Sequence, residues 1–289
     1  TGKGLDLNGN GLTDDAFAVV LIDLVMPGVY DTVFVDTDGD LDIRDEVPLS
    51  PVKAGGNWVN FRTASGVAGA GVIVAQLDRL GSHVVLGFDG NGHGTHVAGV
   101  AAGNDPSGSL PVAGMAPGAE LIVVKALSSD GNGTWDDIRT GVEYAATNGA
   151  DIAVLAIEGP ASTAAVTAEY EAVAATAAEY GMLVFIAGGN TGPGLSTAAS
   201  SPDEEALLPI GGYIGQSMWT ALFGQPAVKD SVWLYNSCGP AQDGGVSPLL
   251  LAPAAAVSSV PRQVAANGYD LYEGTSMAAP HVAGAAALL

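Results

Sequence analysis

The sequence predicts an α/β protein: a three-layer α/β/α arrangement around a mainly parallel central sheet, with an acidic β-hairpin insertion at its N-terminal end. Three observations predict it. From about residue 66 onward, short apolar runs alternate with stretches of helical spacing. Those runs are apolar at nearly every residue, the pattern of strands covered on both faces. Ahead of them, eleven acids fall in the first 50 residues, against only Lys3 and Arg44.

The N-terminal segment reads as a hairpin between two acidic turns. Residues 18–22 and 32–35 are β-rich runs, with Met26-Pro27-Gly28 as the turn. Asp6-Leu7-Asn8-Gly9-Asn10-Gly11 continues to Asp14, and Asp36-Thr37-Asp38-Gly39-Asp40 continues to Asp42, Asp45 and Glu46. Oxygen side chains on alternate residues around a glycine turn suit a hard cation such as Ca²⁺. Asp6, Asn8, Asn10, Asp36, Asp38 and Asp40 are therefore candidate ligands. The plainer reading is two acidic turns that bind nothing.

The remaining elements follow in order. Residues 72–75 read as a short strand, and a helix opens at His93 and runs to Ala102. Residues 121–126 are a continuous apolar strand. Residues 136–148 have helical spacing, with Ile138, Val142, Ala145 and Ala146 on one side. A strand at 151–156 precedes an alanine-rich helix at 161–180, closed by Gly181. Strands at 182–187 and 207–211 complete the pattern. In such sheets, sites lie at the carboxyl ends of the strands, and His93, Asn190 and Ser276 each follow a strand or a loop.

Composition narrows the class. The chain has 289 residues, 48% of them hydrophobic and only 14% charged, with 31 acids, 9 bases and a formal net charge of −22. That charge argues against nucleic acid or an anionic membrane as partner. It fits either a secreted protein kept soluble by charge or adaptation to high salt, which screens self-repulsion. Cys238 is the single cysteine, which excludes an internal disulfide; it reads as a small buried hydrophobe. No apolar run reaches ~20 residues, so no membrane span is expected, and no signal peptide is visible. Thr1-Gly2-Lys3-Gly4 is loop-like, and the last residues stop inside a helical pattern. Both ends read as cuts within a longer protein.

Two glycine-to-helix segments carry the chemistry. Gly274-Thr275-Ser276-Met277-Ala278-Ala279-Pro280-His281-Val282-Ala283-Gly284 sets a serine at a helix start, where backbone N–H groups favour developing negative charge. Asn91-Gly92-His93-Gly94-Thr95-His96-Val97-Ala98-Gly99 supplies a histidine in a similar setting. Alone, Ser276 could be a helix N-cap and His93 with His96 a metal pair. Helical zinc peptidases need a glutamate after the first histidine, however, and Gly94 stands there. His96 and His281 read as core histidines, and His83 as a loop residue. Pro280 is placed in the first turn of its helix, where proline is tolerated.

These two segments resemble the His and Ser boxes of the subtilisin-like serine peptidases, and the resemblance covers roughly residues 66–289. It implies a subtilisin-like peptidase domain over 66–289, cut at both ends, with 1–65 as an insertion within the catalytic domain, and the acidic clusters make that insertion a candidate calcium-binding one. It implies a secreted serine endopeptidase acting on polypeptides, with Ser276 as nucleophile, His93 as general base and Asn190, in Gly188-Gly189-Asn190-Thr191-Gly192, as oxyanion donor. Residues 112–119, the turn Ser237-Cys238-Gly239-Pro240 and the turn Leu251-Ala252-Pro253-Ala254 resemble further landmarks, the last two with cysteine for arginine and alanine for glycine. The family carries an aspartate followed by Ser/Thr and glycine. Asp36-Thr37 is followed by Asp38 instead, so Asp36 is the fallback within this chain. Thr1-Gly2-Lys3-Gly4 resembles the segment after the catalytic aspartate in pyrolysin-like members, which places that aspartate upstream of residue 1. In the strand that lines the substrate groove in this family, Leu155-Ala156-Ile157-Glu158-Gly159 departs from the usual Ser-Leu-Gly. Glu158 there favours a basic substrate side chain or faces solvent. The rival readings are an inactive relative that binds peptides in the same groove, and a transpeptidase or cyclase in which an amine takes the acyl group.

Overall fold

The computed structural model describes residues 5–105, 112–158, 164–198, 206–224, 229–241 and 244–289. The chain forms two compact units, one of residues up to Gly92 plus Val260–Tyr269, the other of His93–Ser259 plus Asp270–Leu289.

The first unit is antiparallel. β1 (Val19–Ile22) and β2 (Thr32–Val35) form the expected hairpin, with Val19 opposite Val35 and Ile22 opposite Thr32. Its turn closes on Gly28 (φ 78°). β3 (Trp58–Arg62), β4 (Ala68–Leu77) and β5 (Val84–Gly87) make a three-stranded sheet in that order. Alternate residues turn inward, as a period of two requires: Val33 and Val35 from β2, and Ala70, Val72 and Val74 from β4, are all at most 1% exposed. The run read as 72–75 is thus the middle of a ten-residue strand. It extends because Ala70 donates its N–H to the Leu7 carbonyl (2.7 Å), tying the first acidic turn to β4.

The second unit is the three-layer α/β/α body. β6 (Ile152–Leu155), β7 (Leu183–Ala187), β8 (Leu207–Ile214) and β10 (Leu250–Pro253) form a parallel sheet in the order β10-β8-β7-β6, with β9 (Ser231–Val232) antiparallel on β8. Four successive β7 residues, Val184 to Ala187, are buried, because helices cover both faces. Val184 and Ile186 pack on one side with α2 (Trp135–Thr147) and α3 (Ala164–Tyr180), through Val142, Tyr170 and Val173. Phe185, with Ile210 and Ala252, packs on the other against Ala278, Ala279 and Ala283 of α5 (Thr275–Ala287). α1 (His93–Ala102), α4 (Gln216–Phe223) and the strand pair β11 (Ala255–Ser259) and β12 (Tyr269–Glu273) complete the unit. No described helix is long and apolar enough to cross a membrane.

The helical expectations hold closely. α2 buries Ile138, Val142, Ala145 and Ala146, and α3 ends at Gly181 with φ 68°; residues 161–163 lie outside the described residues, as do 1–4 and Gly159. Two expectations fail. Residues 121–126 join no ladder among the described residues, and Leu121 to Val124 are exposed, Val123 by 78%. An apolar run cannot by itself separate a paired strand from an extended segment whose backbone groups find other partners. Pro280 lies inside α5, beyond its first turn, so its missing N–H leaves the Ser276 carbonyl without the usual helical bond.

Two contacts set α1 in place. Gly284 of α5 has no room for a side chain: a Cβ there would lie 2.5 Å from the Met115 Cβ and 2.8 Å from the Ala101 oxygen of α1. His96 is fully buried, stacks on Tyr272 at 4.5 Å and gives its Nε2 proton to the carbonyls of Ala256 (3.1 Å) and Asp270 (3.2 Å). Burial pushes the His96 ring below its ordinary pKa, although both carbonyls act the other way; burial does the same to His281.

Two outcomes follow from this packing. Gly284→Ala overpacks the helix contact and lowers stability by about 1–3 kcal/mol, read as a lower thermal midpoint. The unfolded chain binds protons at histidine near pH ~6.5 that folded His96 refuses, so its stabilisation is complete above about pH 6.5 and is lost as pH falls below it. Thermal midpoints measured from about pH 7.5 down to about 5.5 therefore fall, and less steeply in His96→Gln.

Candidate active site

Ser276 sits in the first turn of α5, half-buried, and its Oγ donates to the Ala156 carbonyl at 3.3 Å, just past the end of β6. The helix starts where it does because of Gly274. Its backbone (φ 143°, ψ 168°) is a conformation in which only glycine is at ease. Gly274 also donates its N–H to the Ala254 carbonyl at 2.7 Å, which fixes the entry to α5 beside β11.

Having no side chain, Gly274 cannot cap α5. Asn190 does so from the loop that follows β7. Its Oδ1 accepts the Thr275 N–H and the Thr275 hydroxyl, each at 2.9 Å. Thr275 Oγ1 in turn accepts the Gly189 N–H at 3.1 Å. The carboxyl end of β7 and the N-terminus of α5 are thereby locked together at the residue before Ser276. With Oδ1 so held, the Nδ2 group of Asn190 points the other way and donates to Glu158 Oε2 at 3.2 Å, while the Asn190 N–H donates to Oε1 at 3.1 Å.

His93 opens α1 and is half-buried. One turn on, His96 reaches the Ala256 carbonyl of β11, two residues from the Ala254 carbonyl that receives Gly274. The first turns of α1 and α5 are thus moored to neighbouring rungs of one strand. Cys238 is half-buried and donates to the Asn236 carbonyl at 3.5 Å. His83 is exposed, as expected of a loop residue.

The acidic candidates belong to the other unit. Asp36 is fully buried, and its two oxygens accept the N–H groups of Gly39 (2.8 Å) and Leu41 (3.1 Å). Oxygens of Asp36, Asp38 and Asp40 lie within 4.8 Å of one another. Arg62 bridges Asp38 (3.1 Å), Asp45 (3.0 Å) and Glu46 (3.4 Å). Burial opposes the Arg62 charge, yet these carboxylates hold its pKa above the ordinary value. Even so, Asp38 keeps a buried Oδ1 with no hydrogen-bond partner. The first turn is more self-contained. Asp6 accepts from Gly9, Asn10 and Gly11, Asn8 from Asn10, and Asn10 from Leu12.

Sequence reasoning missed Thr275, Arg62 and the direct contact of Glu158 with Asn190. A threonine before the serine was visible in the box, but its partner is 85 positions away in sequence. Arg62 carried no local signal, being 24 positions from Asp38.

Residues 87–289 match the model of the Subtilase family. Pyrolysin of Pyrococcus furiosus is 33% identical over 328 aligned positions, which take in 98% of this chain and 23% of that protein. Subtilisin BL of Lederbergia lenta is 37% identical, covering 78% of each. Among solved structures, sphericase superposes with a TM-score of 0.54 at 25% identity, over 73% of this chain and 66% of that one. The chain thus spans about a quarter of pyrolysin and most of the shorter subtilisin. With a family match over most of its length and relatives above 30% identity on either measure, the chain belongs to the subtilase family.

Proposed function

We propose that this chain is the catalytic region of a secreted serine endopeptidase. On this reading the Ser276 Oγ attacks a peptide carbonyl carbon while His93 takes the hydroxyl proton. The carbonyl π electrons move onto oxygen, and the Nδ2–H of Asn190 and the Ser276 N–H donate to that oxyanion. When the carbon–nitrogen bond breaks, His93 returns the proton to the leaving amine, and an ester remains on Ser276. Water, deprotonated by the same histidine, then releases the acid. The observation that carries the reading is the bond from Thr275 to Asn190, which sets an amide donor beside a serine at a helix N-terminus.

Asp36 is assigned to a cation rather than to His93. Three oxygen donors and an unpartnered, buried carboxylate oxygen fit a hard ion such as Ca²⁺, with Asp36, Asp38 and Asp40 holding it. Bound there, the ion would offset the charge of a loop whose acids outnumber its two paired arginines, Arg44 and Arg62. Asp6, Asn8 and Asn10 form the second proposed site, with oxygens on alternate residues of a glycine turn. The whole is proposed as a calcium-stabilised insertion over 1–65, in a protein whose partner is a polypeptide and not nucleic acid or membrane.

A fluorophosphonate probe labels the intact protein but not Ser276→Ala, and peptide hydrolysis falls ~10⁶-fold in that variant. Asn190→Ala retains labelling but loses about 10²–10³ in kcat. Equal labelling of the intact protein and Ser276→Ala overturns the assignment; labelling without hydrolysis points to the peptide-binding reading, and amide products in added amine to the transpeptidase. Separately, a calcium chelator lowers the thermal midpoint by about 5 °C or more, and Asp38→Asn abolishes most of that response. A midpoint indifferent to chelator removes calcium from the account.

A further inference from the structure

The peptidase reading leaves one group unexplained. Glu158 accepts both the backbone N–H and the Nδ2 of Asn190, so the proposed oxyanion donor is engaged by an anion before any substrate arrives. Glu158 lies on the segment leaving β6, two residues past Ala156, whose carbonyl receives the Ser276 hydroxyl. Its carboxylate therefore holds the donor, from the same segment whose Ala156 carbonyl meets the nucleophile. It is exposed, and among the described residues no lysine or arginine pairs with it.

An oxyanion at the Asn190 amide would stand beside this carboxylate, and like charges within about 4–6 Å oppose each other. Either the carboxylate moves off or a cation covers it. Among the described residues none supplies that cation, which leaves the substrate to supply it. The side chain of the residue preceding the scissile bond starts one bond from the reacting carbonyl, and a lysine or arginine side chain is long enough to meet Glu158. Arginine does so with a planar fork that matches both carboxylate oxygens.

We propose that Glu158 is a specificity-determining residue: it holds the Asn190 amide in the substrate-free protein and releases it to the oxyanion when a lysine or arginine preceding the scissile bond pairs with its carboxylate. This rests on the peptidase reading and extends it to a substrate class. A neutral residue leaves the donor engaged and the repulsion in place.

The test compares N-acylated peptide p-nitroanilides that differ only in arginine or citrulline, its neutral near-isostere, before the scissile bond. The intact protein turns over the arginine substrate with kcat/KM at least about tenfold above citrulline, and Glu158→Gln brings the ratio to about one while improving the citrulline substrate. A structural role alone would lower both substrates together and leave the ratio unchanged. A ratio near one in the intact protein, a ratio that survives Glu158→Gln, or no hydrolysis of either substrate overturns the proposal. Fluorophosphonate labelling of Ser276 in the same preparations tells the two failures apart: a labelled serine leaves the peptidase standing and removes only the role of Glu158.

Discussion

The arrangement turns on how α5 is capped. A helix exposes its first N–H groups to whatever can accept them, and the residue best placed to do so is usually a Ser, Thr, Asp or Asn at the cap itself. Here that position must be glycine, because φ 143° and ψ 168° exclude a side chain. The cap is supplied by Asn190, from the loop that follows β7. A cap of this kind stabilises by only about 1 kcal/mol, but its positional consequence is larger. It fixes which oxygen of the active-site loop meets the helix, and so which way the Asn190 amide must face. Everything beneath serves this junction: Phe185 and Ile210 hold α5 through Ala278 and Ala279, and Gly284 lets α1 close on its far end.

Much of this was legible in the sequence, for reasons that differ from element to element. α2 could be read because its buried face, Ile138 to Ala146, repeats at helical spacing in an otherwise polar stretch. β7 could be read because burial on both faces leaves it no polar residue. His93, Asn190 and Ser276 were legible because each needs glycines around it, and clustered glycine is conspicuous. By contrast, β3, β5 and β9 to β12 are short and edge-like, and their character comes from partners far along the chain. The run at 121–126 failed for the mirror-image reason: it has strand composition without a ladder. In the site, what could not be read was orientation. Composition marks Asn190 as a turn residue, and the family resemblance puts Glu158 in the groove strand, but only folding shows that one donates to the other.

The two groups of acids raise one question of charge. With 31 acids and 9 bases, the protein cannot pair its carboxylates internally, and two different solutions are visible. Where backbone N–H groups are free, turns absorb the charge: Asp6 takes three and Asp36 two. Such bonds give the carboxylate oxygens hydrogen-bond partners from within the turn itself.

That device is exhausted at Asp38 and at Glu158, and there the two sites part company. Asp38 is largely buried, bound on one side by Arg62 and orphaned on the other. A buried acceptor left unpaired costs about 1–3 kcal/mol, and the cation proposed for this turn would be a resident partner for it. Glu158 is exposed; water can satisfy it at little cost, so nothing compels a permanent partner. What it lacks is a countercharge only when an oxyanion forms beside it, which is the moment a substrate is present. On the two proposals made above, burial is what separates the acid assigned a structural cation from the acid assigned one carried in by the peptide.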